Sequence, residues 1–167
     1  MKMLYLYTIS QEYYEYIKVF DSRVPSLKDD KSNRPFVGVV LDVNGIKYYA
    51  PLTSPKSKHK KMKNMIDFEK IDGGRYGAIN FNNMIPVPQR EVTKVDLIIR
   101  LSDTKSDIAY KLLMKNQLDW CQKNSQKLEN KAATLYRVIS NSNYESLKSR
   151  CCDFKLLEEK EKEFIAH

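Results

Sequence analysis

The stretch FVGVVLDVNGIKYYAPLT, residues 36–53, predicts the centre of the fold. Both halves are rich in apolar and β-branched residues, which are typical of strands. Asn44 and Gly45 separate the halves, and this dipeptide is the strongest short hairpin signal because a type I′ turn needs a positive φ at both central positions. We therefore predict two antiparallel strands, over residues 36–43 and 46–52, joined by a tight turn.

The predicted hairpin also brings chemically active residues together. Antiparallel partners begin and end at the same edge. Arg34, just before the first strand, should therefore lie near Thr53 and Ser54, which follow the second. Lys56 comes next, after a proline. The sequence thus predicts hydroxyls and cations at one end of the sheet.

A dense run of positive charge follows this site. The chain carries a formal net charge of +8 over 167 residues, which favours polyanionic partners. A block of like charge either binds phosphates without sequence specificity or is simply solvated. His59, inside the run, could contribute acid–base chemistry or be a solvated side chain. The lysines of the run are Lys56, Lys58, Lys60, Lys61 and Lys63.

The rest of the chain predicts an α+β fold. Ser10 can cap a helix over residues 11–21, and Asp153 can cap one over residues 154–166. Residues 26–34 read as a polar loop. Further strands are predicted over residues 2–9, 68–71, 76–81 and 84–87, and residues 92–100 could extend the sheet. Further helices are predicted over residues 104–124 and 125–142. The strands come first and the helices later, in what we expect to be one domain over residues 1–167. This order predicts a small, strongly bent antiparallel sheet with helices packed on it, and most of these helices are C-terminal.

Several classes of protein are not supported. No run of about 18 apolar residues occurs, and the N-terminus lacks signal-peptide features, so we expect a cytoplasmic protein without membrane partners. The three cysteines have no metal-site spacing and suggest unpaired thiols in a reducing compartment. The glycine-rich motifs of nucleotide binding are absent, and no acidic residues converge convincingly, so we expect neither a cofactor nor a metal.

Hydroxyls and cations without a metal can still cleave RNA. RNA carries its own nucleophile, the 2′-hydroxyl, so a protein can act by orienting it in line with phosphorus and stabilising the dianionic phosphorane. Such a reaction leaves a 2′,3′-cyclic phosphate and a 5′-hydroxyl. By itself, the Thr-Ser-Pro-Lys sequence also suits an ordinary turn.

Longer segments resemble a known family. The order of LYTIS (6–10), FVGVVL (36–41), KYYAPLTSPK (47–56) and DFKLLEEK (153–160) is similar to that of the ToxN/AbiQ family, along nearly the whole chain. The resemblance implies an endoribonuclease toxin of a type III toxin–antitoxin system, with a role in abortive infection against phage. It implies a curved sheet or barrel like that of MazF/Kid toxins, metal-independent cleavage of mRNA, and inhibition by a small repeated RNA antitoxin. That RNA is folded into pseudoknots, is cut from its precursor by the toxin, and forms a closed protein–RNA assembly; no DNA partner is expected.

The resemblance also assigns residues. Thr53 and Ser54 match the family's active-site hydroxyls, Lys56 matches a neighbouring cation, and Arg34 stands where a lysine precedes the same strand. Lys115 stands where the family has a tyrosine, which exchanges stacking for a phosphate contact. The resulting hypothesis places catalysis on Arg34, Thr53, Ser54 and Lys56. It places RNA binding on Lys58, His59, Lys60, Lys61, Lys63, Asn80 and Lys115.

Two other functions remain open from sequence. A non-catalytic RNA- or DNA-binding module would keep the basic surface without the chemistry. An unrelated α+β enzyme acting on a small anionic substrate would use the same cations but would be insensitive to RNA competitors.

Overall fold

The computed structural model describes residues 3–25, 34–141 and 145–167, and shows a sheet with helices packed on it. The predicted loop at 26–34 lies, apart from Arg34, outside the described residues. The strands are β1 (Tyr5–Ile9), β2 (Phe36–Val43), β3 (Ile46–Thr53), β4 (Phe68–Lys70), β5 (Ala78–Asn80), β6 (Ile85–Pro86) and β7 (Val92–Lys94). The helices are α1 (Gln11–Lys18), α2 (Ser57–Lys61), α3 (Lys105–Lys123), α4 (Ser125–Asn141), α5 (Glu145–Arg150) and α6 (Phe154–Ile165).

The central hairpin is confirmed. Strands β2 and β3 pair antiparallel, with Val43 opposite Ile46 next to the turn. Asn44 and Gly45 both adopt a positive φ, of 52° and 89°, as a type I′ turn requires. The Asp42 carboxylate accepts a hydrogen bond of 2.8 Å from the Gly45 N–H. The turn residues therefore set the register next to the turn, and a β-bulge in β2 between Gly38 and Leu41 shifts the pairing further along β3.

The sheet is antiparallel and open. Its strand order is β4-β5-β3-β2-β1-β7, and β6 also pairs with β3. The expectation of a closed barrel is wrong, because β4 and β7 are not paired with each other among the described strands. Both are only three residues long, and β5 pairs with β3 only at Leu52 and Thr53. The resemblance to MazF/Kid toxins stays a prediction.

Local capping signals located the helices. The Ser10 hydroxyl accepts from the Tyr13 N–H at the start of α1, and Asp153 accepts from the Leu156 N–H at the start of α6. Thr104 and Asp107 exchange reciprocal hydrogen bonds at the start of α3. Helix α1 ends at Lys18, three residues before its predicted end, and α2 and α5 were not predicted. Short-range caps thus fixed where helices start better than where they end.

The core lies between the sheet and the C-terminal helices. Leu4, just before β1, and the strand residues Leu6 and Val37 are fully buried together with Leu128 and Leu135 of α4. Among the described residues, no helix combines the length and apolar character needed to span a bilayer. The prediction of unpaired thiols is confirmed, since all three cysteines are free, and all are buried: Cys121, Cys151 and Cys152.

Candidate active site

A cleft of about 340 Å³ opens at the end of β3. It lies where β3, β5 and α2 meet, and four of its side chains are cationic while one is a carboxylate. The excess of cations makes the cleft attractive to an anionic ligand. The cleft is lined by Arg34, Thr53, Lys56, Lys58, His59, Met62, Met65, Asp67, Phe68, Asn80, Asn82 and Arg150.

Thr53 is oriented by the neighbouring strand. Thr53 pairs with Ala78 of β5, and the Asn80 side-chain amide donates a 2.7 Å hydrogen bond to the Thr53 Oγ1. Because that oxygen is an acceptor here, its own O–H is available to donate into the cleft. Gly77 makes the close approach feasible, since it has a φ of 95° and a Cβ at this position would collide with the Thr53 carbonyl oxygen. Strand pairing and one glycine therefore aim this hydroxyl.

Arg34 reaches the same end of the sheet, as the hairpin geometry predicted. Its Nε donates a 3.2 Å hydrogen bond to the Leu52 carbonyl oxygen. Burial lowers the pKa of the Arg34 guanidinium, and the nearby phenols of Tyr110 and Tyr14 oppose that shift. One edge of the guanidinium is thus held by the backbone beside Thr53, and no acceptor among the described residues bonds the opposite edge, which can bind a ligand.

The lysine run begins with a short helix rather than a loop. The Lys56 backbone N–H donates a 3.1 Å hydrogen bond to His59 Nδ1, and the His59 backbone N–H donates to the Lys56 carbonyl oxygen at 2.9 Å. His59 is only 2% exposed. Burial lowers the pKa of this imidazole, and Lys58 and Lys56 lower it further. A neutral, buried ring whose Nδ1 accepts from Lys56 holds the first turn of α2 in place.

The other predicted residues divide into two groups. Lys58 lines the cleft together with Lys56 and His59. The second group is exposed but does not line the cleft. It contains Ser54, which directly follows Thr53, and four lysines: Lys60, Lys61, Lys63 and Lys115.

Sequence reasoning missed one ion pair in the cleft wall. The Arg150 Nε donates a 2.6 Å hydrogen bond to Asp67, whose side chain is buried, while Asn82 donates to the Arg150 carbonyl oxygen. Nearby, Glu69 pairs with Lys131. No local pattern joins Asp67 to a residue 83 positions away, so the ion pair had no sequence signal.

The arrangement supplies hydrogen-bond donors and positive charge around one space. Arg34, Thr53 and Lys56 approach this space from just before β2, the end of β3 and just before α2. Such groups can bind a phosphate and stabilise the charge that develops on a phosphorane. Within residues 3–25, 34–141 and 145–167, no group of three or more His, Cys, Asp or Glu side chains is placed to hold a metal ion.

Comparisons with known proteins agree on one family. A family model described as the toxin ToxN of type III toxin–antitoxin systems matches residues 5–162. The chain is 36% identical over 163 residues to an endoribonuclease ToxN of Bacillus thuringiensis subsp. kurstaki, covering 95% of this chain and 82% of that protein.

Solved structures extend the similarity to the fold. One concerns type III toxin inhibition by a non-coding RNA pseudoknot; it has a TM-score of 0.82 and 34% identity and covers 99% of this chain and 100% of that one. Another is AbiQ, a lactococcal anti-phage endoribonuclease of a type III system, with a TM-score of 0.84 and 29% identity over 99% of this chain and 100% of that one.

Proposed function

The chain belongs to the ToxN toxin family of type III toxin–antitoxin systems, and from this premise we propose that it is an endoribonuclease whose active site is the cleft at the end of β3. One observation carries the assignment to this place. Arg34, Thr53 and Lys56, which come from separate elements, line the same cleft. The substrate is RNA, including mRNA and the precursor of a repeated RNA antitoxin, and the reaction takes place in the cytoplasm.

The proposed reaction is a metal-independent transesterification. The 2′-hydroxyl oxygen forms a bond to phosphorus and the bond between phosphorus and the 5′-oxygen breaks. The 2′-hydroxyl loses its proton, and the leaving 5′-oxygen gains one. The products are a 2′,3′-cyclic phosphate and a 5′-hydroxyl. The protein contributes chiefly by alignment and by stabilising the phosphorane dianion.

Each residue has a role that its surroundings support. Thr53 donates to a non-bridging phosphate oxygen, because its Oγ1 already accepts from Asn80. Ser54, exposed beside it, binds the same phosphate and helps to orient or deprotonate the 2′-hydroxyl. Arg34 and Lys56 carry the positive charge that stabilises the phosphorane.

Asn80 and His59 act partly through their neighbours. Asn80 orients Thr53 through its amide nitrogen. Recognition of the edge of an RNA base by the same side chain stays a prediction. The buried ring of His59 holds α2, so that Lys56 and Lys58 face the cleft. Along the path of the RNA, the exposed lysines contact its backbone: Lys60, Lys61, Lys63 and Lys115.

The family also implies a regulator. The related toxin of solved structure is described as inhibited by a non-coding RNA pseudoknot, and AbiQ as an anti-phage enzyme. We propose the same kind of partner here, a small repeated RNA antitoxin that occupies the cleft in a closed protein–RNA assembly. Release from this RNA during phage infection would free the cleft for mRNA.

Cleavage of a defined single-stranded RNA by the purified protein, in the presence of EDTA, tests the proposal. We expect fragments with 2′,3′-cyclic phosphate ends by mass spectrometry, and no cleavage where the attacking 2′-hydroxyl is methylated. Ser54→Ala should abolish most of the activity, whereas Ser57→Ala, three residues further along, should not. Intact RNA with tight binding would favour the non-catalytic module, and undiminished cleavage by folded Ser54→Ala would remove the assignment of this serine.

A further inference from the structure

A second depression, of about 580 Å³, lies on the sheet outside the cleft. It is formed by alternate residues of the neighbouring strands β3, β2, β1 and β7. Three of its residues are tyrosines and two are lysines, and none of the described residues that line it is acidic. We refer to it as the tyrosine face. The lining residues are Met3, Tyr5, Tyr7, Val39, Lys47, Tyr49, Gln89, Val92 and Lys94.

Strand register places these side chains on one surface. Tyr5 and Tyr49 both lie opposite Gly38, from the two strands that flank β2. Tyr7 lies opposite Lys94 of β7. Since directly opposed residues share a face of the sheet, these side chains project together, while the alternate residues of β1 enter the core.

The rings pack in a defined arrangement. The Tyr49 ring lies over Gly38, where even a Cβ would collide with it. Its centroid is 5.3 Å from that of Tyr7, with an angle of 79° between the ring planes. The Lys94 ammonium sits 3.5 Å from the centroid of the Tyr5 ring. Tyr49 therefore forms a buried support, and Tyr5 and Tyr7 remain partly exposed above it.

This combination suits one kind of ligand. Aromatic rings stack on nucleobases, and neighbouring lysines bind the phosphates between them, which is how sheet surfaces hold single-stranded nucleic acid. A protein partner would need a larger apolar surface than the half-buried tyrosines provide. Lys47 and Lys94 favour an anion, although Asp42 lies directly opposite Lys47 on β2.

The tyrosine face and the cleft lie along the same strand, β3, with the buried Pro51 between them. Lys47, Tyr49 and Thr53 are separated by even numbers of residues along β3, so they belong to the same side of the strand. Tyr49 and Thr53 are four residues apart, or roughly 13 Å in an extended strand. A short single strand can span this distance, with one part in the cleft and another on the tyrosines.

From this geometry we propose that the tyrosine face is a subsite for single-stranded RNA, in which Tyr5 and Tyr7 stack on bases while Lys47 and Lys94 bind the adjacent phosphates. The inference rests on the proposed function, because it assumes that RNA also enters the cleft. In this proposal, the tyrosine face binds the RNA that flanks the cleavage point, away from the reacting atoms.

Binding of an uncleavable RNA tests the subsite separately from catalysis. The probe is a fluorescein-labelled 2′-O-methyl RNA of about 12 nucleotides and mixed sequence, followed by anisotropy at several salt concentrations. We expect Tyr5→Thr to weaken binding about 10-fold, because the stacking ring is lost. We expect Lys94→Gln to reduce the slope of log affinity against log salt by about 0.7. Tyr5→Phe and Lys94→Arg, which keep the ring and the charge, should bind like the wild type.

The outcomes separate the two proposals. Unchanged binding by Tyr5→Thr and Lys94→Gln, alongside weakened binding by Lys58→Gln in the cleft, would overturn the subsite and leave the proposed function intact. A Tyr5-dependent change of oligomeric state with unchanged RNA affinity would also overturn it, because the face would then be a protein interface. If the wild type binds no RNA, both proposals fail. Thermal unfolding of each variant shows that it is folded.

Discussion

The two ends of strand β3 have opposite environments. Near its start, Tyr48 is fully buried, and its hydroxyl donates a 2.6 Å hydrogen bond to Glu158 of α6, which also accepts from Tyr136 at 2.7 Å. At its end, Thr53 is only partly buried and is surrounded by cations at the cleft. One strand therefore anchors the C-terminal helices at one end and presents a polar site at the other. The comparison predicts that substitutions at the first end change stability, and those at the second change activity.

The largest expected effect is on catalysis at the open end. Lys56→Gln should lower the cleavage rate constant by about 10²–10³-fold, since a charge that stabilises the phosphorane is lost. The backbone contact of residue 56 with His59 does not involve the replaced side chain, so the melting temperature should stay unchanged. Single-turnover cleavage assays measure this. Lys61→Gln, an exposed lysine of the same helix, should weaken RNA binding only; equal losses of rate constant in both variants would contradict the role of Lys56.

The buried end should respond in stability. Glu158→Ala leaves the hydroxyls of Tyr48 and Tyr136 without their shared acceptor and should lower the free energy of unfolding by about 3 kcal/mol. Urea denaturation measures the change, with the exposed neighbour variant Glu159→Ala as the control. Activity per folded molecule should be unaffected. A loss of activity without a loss of stability would show that the two ends are not separate.

A smaller effect is expected when one hydroxyl is removed from the cleft. Thr53→Val keeps the shape of the side chain but removes the O–H donor, and should lower the cleavage rate constant about 10–100-fold. Asn80→Ala should have a weaker effect of the same kind, because Asn80 acts by orienting Thr53. Rates measured at saturating RNA distinguish these effects from binding. The roles would be reversed if Asn80→Ala were the more damaging of the two.

The smallest predicted effect concerns Glu161 in α6, near the buried end. Burial raises the pKa of this carboxyl to about 7, and Glu158 adds to the shift. Because the folded pKa lies above the ordinary value of 4.5, the contribution to stability is complete below about pH 4.5 and is lost as the pH rises to about 7. Glu161→Gln should remove this decline. Urea denaturation at pH 5 and pH 8 measures this loss of stability, with Glu159→Gln as the control. An equally steep decline in Glu161→Gln would disprove the role of Glu161.

Local signals in the sequence determined much of the fold and part of the site. Asn44-Gly45 set the hairpin because few residues tolerate two successive positive φ values. Ser10 and Asp153 marked helix starts because their side chains satisfy backbone N–H groups within one turn. The hairpin in turn placed Arg34 beside the end of β3. These features depend on neighbours in sequence, which is why they could be read without a structure.

Tertiary structure alone decided what surrounds those residues. The Arg150–Asp67 pair, the burial of His59 beneath the lysine helix, and the assembly of the tyrosine face each join residues from separate elements. The open sheet likewise depends on which strands pair, and no local pattern encodes that β4 and β7 stay unpaired with each other among the described strands. Composition showed that the chain has many cations, but only packing determined which line the cleft and which face solvent. The physical reason is that burial and charge environment are properties of contacts between distant segments, whereas turns and caps are properties of a few consecutive residues.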